Sequence, residues 1–206
     1  MSLSILNPST ATAQESRGAS RLIRCFIYAG LAMALLFGFV VVRFFLWAQC
    51  FELRAFVSRG GSMCPAICED ERVIAGMDAF NKRVPQRGEV ILFDQRESNT
   101  KFVKRVIAVA GDTVARGPSN TILVNNKPLV LPPVCGEHNK YLGLAAWGPP
   151  FETIKVPEGS VFVIGDNLDD SYDSRHFGVV PLDKVRGKAL LIYFSTNASR
   201  IGCRVN

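Results

Sequence analysis

Apolar residues fall into two patterns along this chain, one long run near the N-terminus and several short runs after it. No charged residue occurs from Cys25 to Val42, and apolar residues resume after Arg43 as FFLWAQCF. About 20 residues of helix cross the roughly 30 Å hydrocarbon core of a bilayer. A cleaved secretory signal has a shorter apolar region, of about 7–15 residues. The length of the run therefore predicts a retained transmembrane helix over residues 25–48.

The short runs are rich in β-branched residues and are bounded by Gly, Pro, Asn and Asp, which is typical of strands. They predict strands in the segments RVIAG, EVILF, KFVKRVIAVAG, TILV, SVFVIG and KALLIYF. In TILVNNKPLVL, Asn125 and Asn126 tolerate the positive φ of a tight turn, so this segment predicts a hairpin. We therefore expect a mostly β domain over residues 49–206, behind one N-terminal transmembrane helix.

Two segments lack these strand patterns. Residues 128–157 contain six prolines and few strand signals, and strand signals resume on both sides. This composition predicts a loop-rich insertion or small subdomain. Residues 1–24 are rich in Ser, Thr and Ala with little periodicity, which predicts a disordered tail.

The net charge of +6 suits anionic lipid head groups, and we interpret it as a solvated surface beside a membrane. The sequence contains no basic cluster with interleaved aromatic residues, so it gives no indication of a nucleic-acid partner. Arg17, Arg21 and Arg24 precede the apolar run, while Arg54 and Arg59 follow it closely. The positive-inside rule therefore leaves the orientation of the helix undecided.

Six cysteines are present, at positions 25, 50, 64, 68, 135 and 203. Cys64, Cys68, Cys135 and His138 are the candidate ligands for a metal ion. Zinc fingers normally show tighter ligand pairs, and a cysteine is often a small buried hydrophobic residue. We therefore expect no metal site, and any disulfide pairing stays open.

A serine follows two glycines in SRGGSMCPAI, residues 58–67. Gly60 and Gly61 let the backbone turn sharply and approach a ligand closely. The Ser62 hydroxyl is a poor nucleophile unless a neighbouring group takes its proton. Taken alone, Ser62 is a turn residue, so a catalytic interpretation requires a base elsewhere in the chain.

Lys104 is the better candidate for that base, because His176 lies only three residues after Asp173, too close for an ordinary Ser-His-Asp triad. Strand alternation places Lys104 on one face with Phe102, Val106 and Ala108, while Arg105 shares the other face with Lys101. These neighbours predict apolar surroundings. Burial disfavours the ammonium and brings the pKa of a lysine down to roughly 7–8, where a general base works.

Four ordered blocks behind the apolar run resemble a known family. GGSMCP, RGEVILF, KFVKRVIAVAGD and GDNLDDSYDSRHFGVVP are similar to segments of type I signal peptidases, the Ser/Lys leader peptidases. The resemblance covers residues 52–194, nearly all of the chain beyond the apolar run. It implies a mostly β catalytic domain that cuts the leader peptides of exported preproteins at a membrane surface, with no cofactor.

The resemblance assigns roles by motif position. Ser62 matches the nucleophile and Lys104 the general base. Ser171 matches a hydroxyl that orients the lysine, while Asp173 and Arg175 match a supporting pair.

Gly60 departs from the bacterial members that have a serine at this position, whose hydroxyl assists the oxyanion, while other members have glycine there. The oxyanion here would therefore depend more on the Ser62 N–H. The family also implies shallow apolar pockets for small residues at the first and third positions before the cut. Met63 and Phe56 are the candidate walls.

An active site on the export side would place residues 1–24 in the cytoplasm. We expect a bacterial inner membrane, with a mitochondrial inner membrane or a thylakoid as alternatives. A conjugation-system maturation peptidase and a non-enzymatic anchored β domain remain as alternative functions.

Overall fold

The computed structural model describes residues 26–43, 52–95, 100–133, 135 and 151–205. The chain divides into two units, Met1–Cys50 and Phe51–Asn206. In the first unit, helix α1 (Phe26–Arg43) is long and apolar enough to cross a membrane. The tail predicted at residues 1–24 and the end of the predicted span lie outside the described residues.

The second unit is built on a seven-stranded sheet in which every pair of neighbouring strands is antiparallel. Its strands are β1 (Leu53–Val57), β2 (Arg72–Gly76), β3 (Val90–Asp94), β4 (Lys101–Val109), β9 (Ser160–Ile164), β10 (Val180–Pro181) and β11 (Val185–Phe194). Their spatial order is β1-β2-β11-β3-β4-β9-β10. The site is positioned by this order, because the segment after β1 carries Ser62 while β4 carries Lys104 in the interior of the sheet.

A second sheet of four strands has the order β7-β6-β5-β8. It contains β5 (Thr113–Arg116), β6 (Ile122–Val124), β7 (Lys127–Pro128) and β8 (Ile154–Lys155). The predicted hairpin is confirmed: β6 and β7 pair, and Asn125 and Asn126 have φ values of 52° and 63°. Residues 134 and 136–150, the larger part of the loop-rich segment predicted between residues 128 and 157, lie outside the described residues.

All six strand segments predicted from the sequence form strands, so the mostly β class is confirmed. Strands β1, β5, β8 and β10 were not predicted. β1 and β5 each carry an arginine, and β8 and β10 are only two residues long. A four-residue helix, α2 (Ser174–Phe177), interrupts the polar segment after β9.

The main apolar core lies beneath the segment that carries Ser62. Met63 and Ile67 of that segment are each 2% exposed and pack in one cluster with residues of the main sheet. That cluster also contains Val73, Ala75, Val90, Leu92, Ala189, Ile192, Cys203 and Val205. Burying such side chains contributes roughly 1.5–3 kcal/mol each. The segment that carries Ser62 is therefore anchored through the residues that follow it.

Candidate active site

Ser62 lies in a tight turn directly after β1. Gly60 opens the turn with φ +80°, a conformation that side-chain-bearing residues rarely adopt. The Cys64 amide donates to the Gly61 carbonyl at 3.0 Å, and the Ile67 amide donates to the Met63 carbonyl at 2.9 Å. These bonds hold the backbone on both sides of Ser62.

A second segment fixes the same turn from the other side. The Asn167 amide donates to the Ser62 carbonyl at 3.1 Å, and the Asn167 side chain donates to the Gly61 carbonyl at 3.2 Å. The turn after β1 and the segment after β9 thus meet at Ser62, although they are more than a hundred residues apart in the sequence.

Lys104 reaches Ser62 from β4. Its Nζ lies 2.7 Å from Ser62 Oγ, within hydrogen-bond distance, and 5.4 Å from the centre of the Phe102 ring. The residue is only 5% exposed and pairs with Ile91 of β3. The sequence prediction that Lys104 is buried beside apolar residues is therefore confirmed.

The prediction that Ala108 shares the Lys104 face of β4 is wrong. The pairing of β4 with β9 shifts register between Val106 and Ala108. Val106 packs in the cluster that contains Ile91, whereas Ala108 packs with Ile107 in a different cluster. A bulge of this kind interrupts strict alternation, so Ala108 does not share the Lys104 face.

Burial lowers the pKa of Lys104 from its ordinary 10.5 to about 8. Removing the ammonium from water is the largest cause, because it disfavours the charged form. The nearby carboxylates of Asp173, Asp166 and Asp170 oppose this shift, while Arg175 adds to it. At pH 7 the Lys104 amine is therefore neutral in about one tenth of molecules, compared with fewer than about one in a thousand for a lysine of ordinary pKa.

Asp173 and Arg175 form a buried ion pair that organises the segment after β9. The Arg175 guanidinium donates to the Asp173 carboxylate from Nε at 2.8 Å and to the Leu168 carbonyl at 2.8 Å. Asp173 also accepts a bond of 3.0 Å from the Gly165 amide. Its side chain caps α2, where His176 completes a reciprocal capping box.

Ser171 is 9% exposed, and its Oγ has no hydrogen-bond partner among the described residues. The orienting bond to Lys104 that the resemblance implied is therefore not present in this structure. Ser171 Oγ instead packs against Gly165, where an added Cβ would lie 2.3 Å from it.

A cleft of about 550 Å³ runs past Ser62 and Lys104. One wall is formed by residues 57–63 and the other by residues 100–104, with Asp170 and Tyr172 at one side. Met63 lines this cleft, while Phe56 lines an adjoining pocket of about 30 Å³. Val57, Ser58 and Val103 line both spaces, so the two predicted wall residues serve neighbouring pockets.

A family model described as "Signal peptidase, peptidase S26" matches residues 26–194 of this chain. The chain belongs to the signal peptidase family. A signal peptidase I from Bacillus licheniformis is 32% identical over 159 residues, covering 75% of this chain and 84% of the relative. A signal peptidase I from Leptolyngbya laminosa is 30% identical over 201 residues, covering 92% and 88%. The crystal structure of a signal peptidase I from Enterococcus faecalis V583 aligns at a TM-score of 0.38 and 26% identity, covering 52% of this chain and 97% of that one.

Sequence reasoning missed a second buried ion pair next to the lysine. The Arg105 guanidinium donates to both carboxylate oxygens of Asp166, at 2.7 and 2.6 Å, and to the Gly88 carbonyl at 2.6 Å. Arg105 is 1% exposed and Asp166 is 2% exposed. The available signal was an arginine inside an otherwise apolar strand, since a buried charge requires a partner.

Gly165 was also missed. An added Cβ would lie 2.3 Å from both Ser171 Oγ and the Ser62 carbonyl oxygen, so only a glycine lets these groups approach. The signal was a glycine at the end of the apolar run SVFVIG, directly before the polar segment.

The cysteines that suggested a metal site are paired in two disulfide bonds. Cys64 is bonded to Cys68, and Cys135 is bonded to Cys203. The candidate ligands therefore lack free thiols, and His138 lies outside the described residues. The disulfide pairing that the sequence left open is thereby assigned for four of the six cysteines.

Proposed function

We propose that this chain is a membrane-anchored serine endopeptidase that removes signal peptides from exported preproteins, with Ser62 as nucleophile and Lys104 as general base. The observation that carries the proposal is the distance of 2.7 Å between Ser62 Oγ and the Nζ of a lysine whose pKa burial lowers to about 8. The serine alcohol needs a base, and this lysine can serve as one at neutral pH. Membership of the signal peptidase family supports the reaction and the substrate class.

In the acylation step, neutral Lys104 takes the Ser62 hydroxyl proton as Oγ attacks the scissile carbonyl carbon. The resulting ammonium gives this proton to the leaving amine as the carbon–nitrogen bond breaks. Water then attacks the acyl carbon while Lys104 accepts a proton from it. The ester bond to Ser62 Oγ breaks, Lys104 returns the proton to Oγ, and the signal peptide leaves with a free C-terminal carboxyl group. The chemistry uses groups of the chain and water, and no cofactor takes part.

The developing oxyanion needs a donor aimed at it before the reaction begins. We assign this role to the Ser62 N–H, because the turn that presents it is fixed from both sides by the Asn167 bonds and the Cys64 amide. Gly60 and Gly61 shape this turn. With φ +80° at Gly60, the turn geometry favours glycine at this position.

The remaining residues support the dyad. Asp173 and Arg175 hold the segment that packs on Lys104, and Ser171 fills the space beside Gly165 near the dyad. Met63 and Phe56 line small apolar spaces beside the cleft. Small residues at the first and third positions before the cut fit such spaces.

Helix α1 is proposed to anchor the enzyme as a single membrane span, with anionic lipid head groups as partners for the basic surface. The curated relatives are bacterial, which supports a bacterial inner membrane with the catalytic domain on the export side. A mitochondrial inner membrane or a thylakoid membrane is the alternative location.

The test is cleavage of a purified preprotein by the full-length enzyme in detergent. We expect one cut, at the end of the signal peptide, and its complete loss in Ser62→Ala. Ser58→Ala is the matched control, because Ser58 lines the same cleft and, among the described residues, is bonded through its backbone alone, to Glu71 and Asp70. N-terminal sequencing of the product locates the cut. Equal cleavage by Ser62→Ala and the parent would reject the proposal, and cleavage confined to precursors from a conjugation system would favour the conjugation-system peptidase.

A further inference from the structure

The C-terminal segment carries a buried arginine beneath the nucleophile turn, beyond residue 194 where the family match ends. Arg200 is only 2% exposed. Its guanidinium donates to the Glu71 carboxylate at 2.5 and 2.9 Å. It also donates to the carbonyls of Pro65 and Ala66, at 2.8 and 3.1 Å.

These two carbonyls belong to the loop that follows Ser62. The Cys64–Cys68 disulfide closes this loop. The side chains of Met63 and Ile67 are buried in the main core. Arg200 therefore satisfies backbone acceptors of the loop whose first turn presents the nucleophile. A buried carbonyl that loses its donor is costly, so the loop position depends on the guanidinium.

Glu71 connects the loop to the same arginine. Its carboxylate accepts bonds from the Cys68 amide at 2.8 Å and from the Ser195 hydroxyl at 2.8 Å. Burial alone raises the pKa of Glu71, but the bonds from Arg200, Cys68 and Ser195 outweigh it and hold the pKa below its usual value. The carboxylate thus stays charged, and it fixes both the end of the loop and the guanidinium.

A disulfide holds the arginine itself in place. The Cys203 amide donates to the Arg200 carbonyl at 3.1 Å, and Cys203 is bonded to Cys135. The Arg200 guanidinium also donates to the Cys135 carbonyl at 2.9 Å. Arg200 is therefore fixed at both its backbone and its side chain.

We propose that Arg200 is a positioning residue for Ser62: paired with Glu71, it holds the loop 64–68 so that the Ser62 hydroxyl meets Lys104. This inference rests on the proposed Ser62–Lys104 dyad. The charged residues that most affect the Lys104 pKa are Asp173, Asp166, Arg175 and Asp170. None of them is a partner of the Arg200 guanidinium in the bonds described above. Loss of Arg200 should therefore disturb the geometry of the nucleophile. It should leave unchanged the apparent pKa of the acid limb, which is the low-pH side of a plot of kcat/KM against pH.

The test compares Arg200→Lys with Arg204→Lys in the full-length enzyme on one preprotein peptide. Lysine keeps the charge but cannot bond two carboxylate oxygens and three carbonyls with a fixed planar fork. A misplacement of about 1 Å at a catalytic group costs roughly 10²-fold in rate. We expect kcat to fall about 30- to 100-fold in Arg200→Lys, with KM within about twofold and the acid limb unmoved. Arg204 is exposed in the same segment, so Arg204→Lys should match the parent.

Thermal unfolding separates positioning from stability alone. If Arg200→Lys lowers Tm but keeps the parent kcat well below Tm, the arginine is only structural and the inference is wrong. A shift of the acid limb would also overturn it, since the effect would then act through Lys104. Should Arg200→Lys fail to fold, Glu71→Gln takes its place with the same expected fall in kcat and the same overturning results.

Ser62→Ala in the same assay keeps the two proposals apart. If Ser62→Ala still cleaves, the proposed function fails whatever Arg200→Lys does. If Ser62→Ala is inactive while Arg200→Lys matches Arg204→Lys, only the positioning role of Arg200 fails.

Discussion

Replacing Lys104 by methionine should lower kcat/KM on a signal-peptide substrate by at least about 10³-fold and, at pH 7, make the domain more stable. Methionine fills a similar volume on the apolar face with Phe102 and Val106, but it cannot accept the Ser62 proton. We expect the free energy of unfolding to rise by up to about 3 kcal/mol, at about 1.4 kcal/mol per unit of pKa shift.

The sign of the stability change follows from the direction of the pKa shift. The folded pKa of Lys104 is about 8, below its ordinary 10.5, so the unfolded chain binds the proton more tightly. Burial of this lysine therefore lowers the free energy of unfolding. The whole penalty is present below pH 8, and it fades as pH rises from 8 to 10.5. The gain from Lys104→Met should accordingly be largest at pH 7 and vanish above about pH 10.5.

Urea unfolding at pH 7 and pH 10.5 measures this change, and Lys101→Met is the control. Lys101 lies on the same strand and the same cleft, but its side chain is 39% exposed and pairs with Asp94. It should affect activity and stability little. Near-parental cleavage by Lys104→Met would remove the lysine from the mechanism, and equal stability of the parent and Lys104→Met at pH 7 would contradict the depressed pKa.

Replacing Gly165 by alanine should reduce kcat/KM by about 10²-fold or more, although Gly165 carries no reacting group. The new Cβ would lie 2.3 Å from both Ser171 Oγ and the Ser62 carbonyl oxygen. The second contact is with backbone, so no rotamer change relieves it and the nucleophile turn must shift. Crowding of this kind also destabilises a fold by roughly 1–3 kcal/mol.

Ser171→Ala is the matched comparison for Gly165→Ala, because it removes the hydroxyl and adds no crowding. We expect a smaller loss of kcat/KM, of about tenfold or less. Steady-state kinetics together with thermal unfolding of both variants provides the measurement. Parental kcat/KM in Gly165→Ala would mean that the segment after β9 does not position Ser62.

Local patterns were sufficient to predict much of this domain. Six apolar, β-branched segments became strands, and paired asparagines at positive φ closed the hairpin between β6 and β7. Lys104 could be found because a charged residue within an apolar strand face is unusual and because Ser62 required a base. These inferences depend on neighbours within a few residues.

Interactions between distant segments could not be predicted in this way. Arg105 and Asp166 are separated by 61 residues, and Glu71 and Arg200 by 129. Nothing in the local pattern of either member indicates which partner it takes. The bulge that removes Ala108 from the Lys104 face depends likewise on the pairing of β4 with β9.

The most direct test of the Ser62–Lys104 dyad is kcat/KM as a function of pH, for the parent, Val106→Thr and His176→Ala. The profile of kcat/KM reports the pKa of the essential base in the free enzyme. We predict an acid limb with an apparent pKa of about 8, unchanged in His176→Ala. Val106→Thr should move the limb to higher pH, because a hydroxyl of nearly the same shape on the Lys104 face stabilises the ammonium. A limb near pH 6.5 that ignores Val106→Thr and disappears in His176→Ala would contradict the dyad and indicate a histidine base.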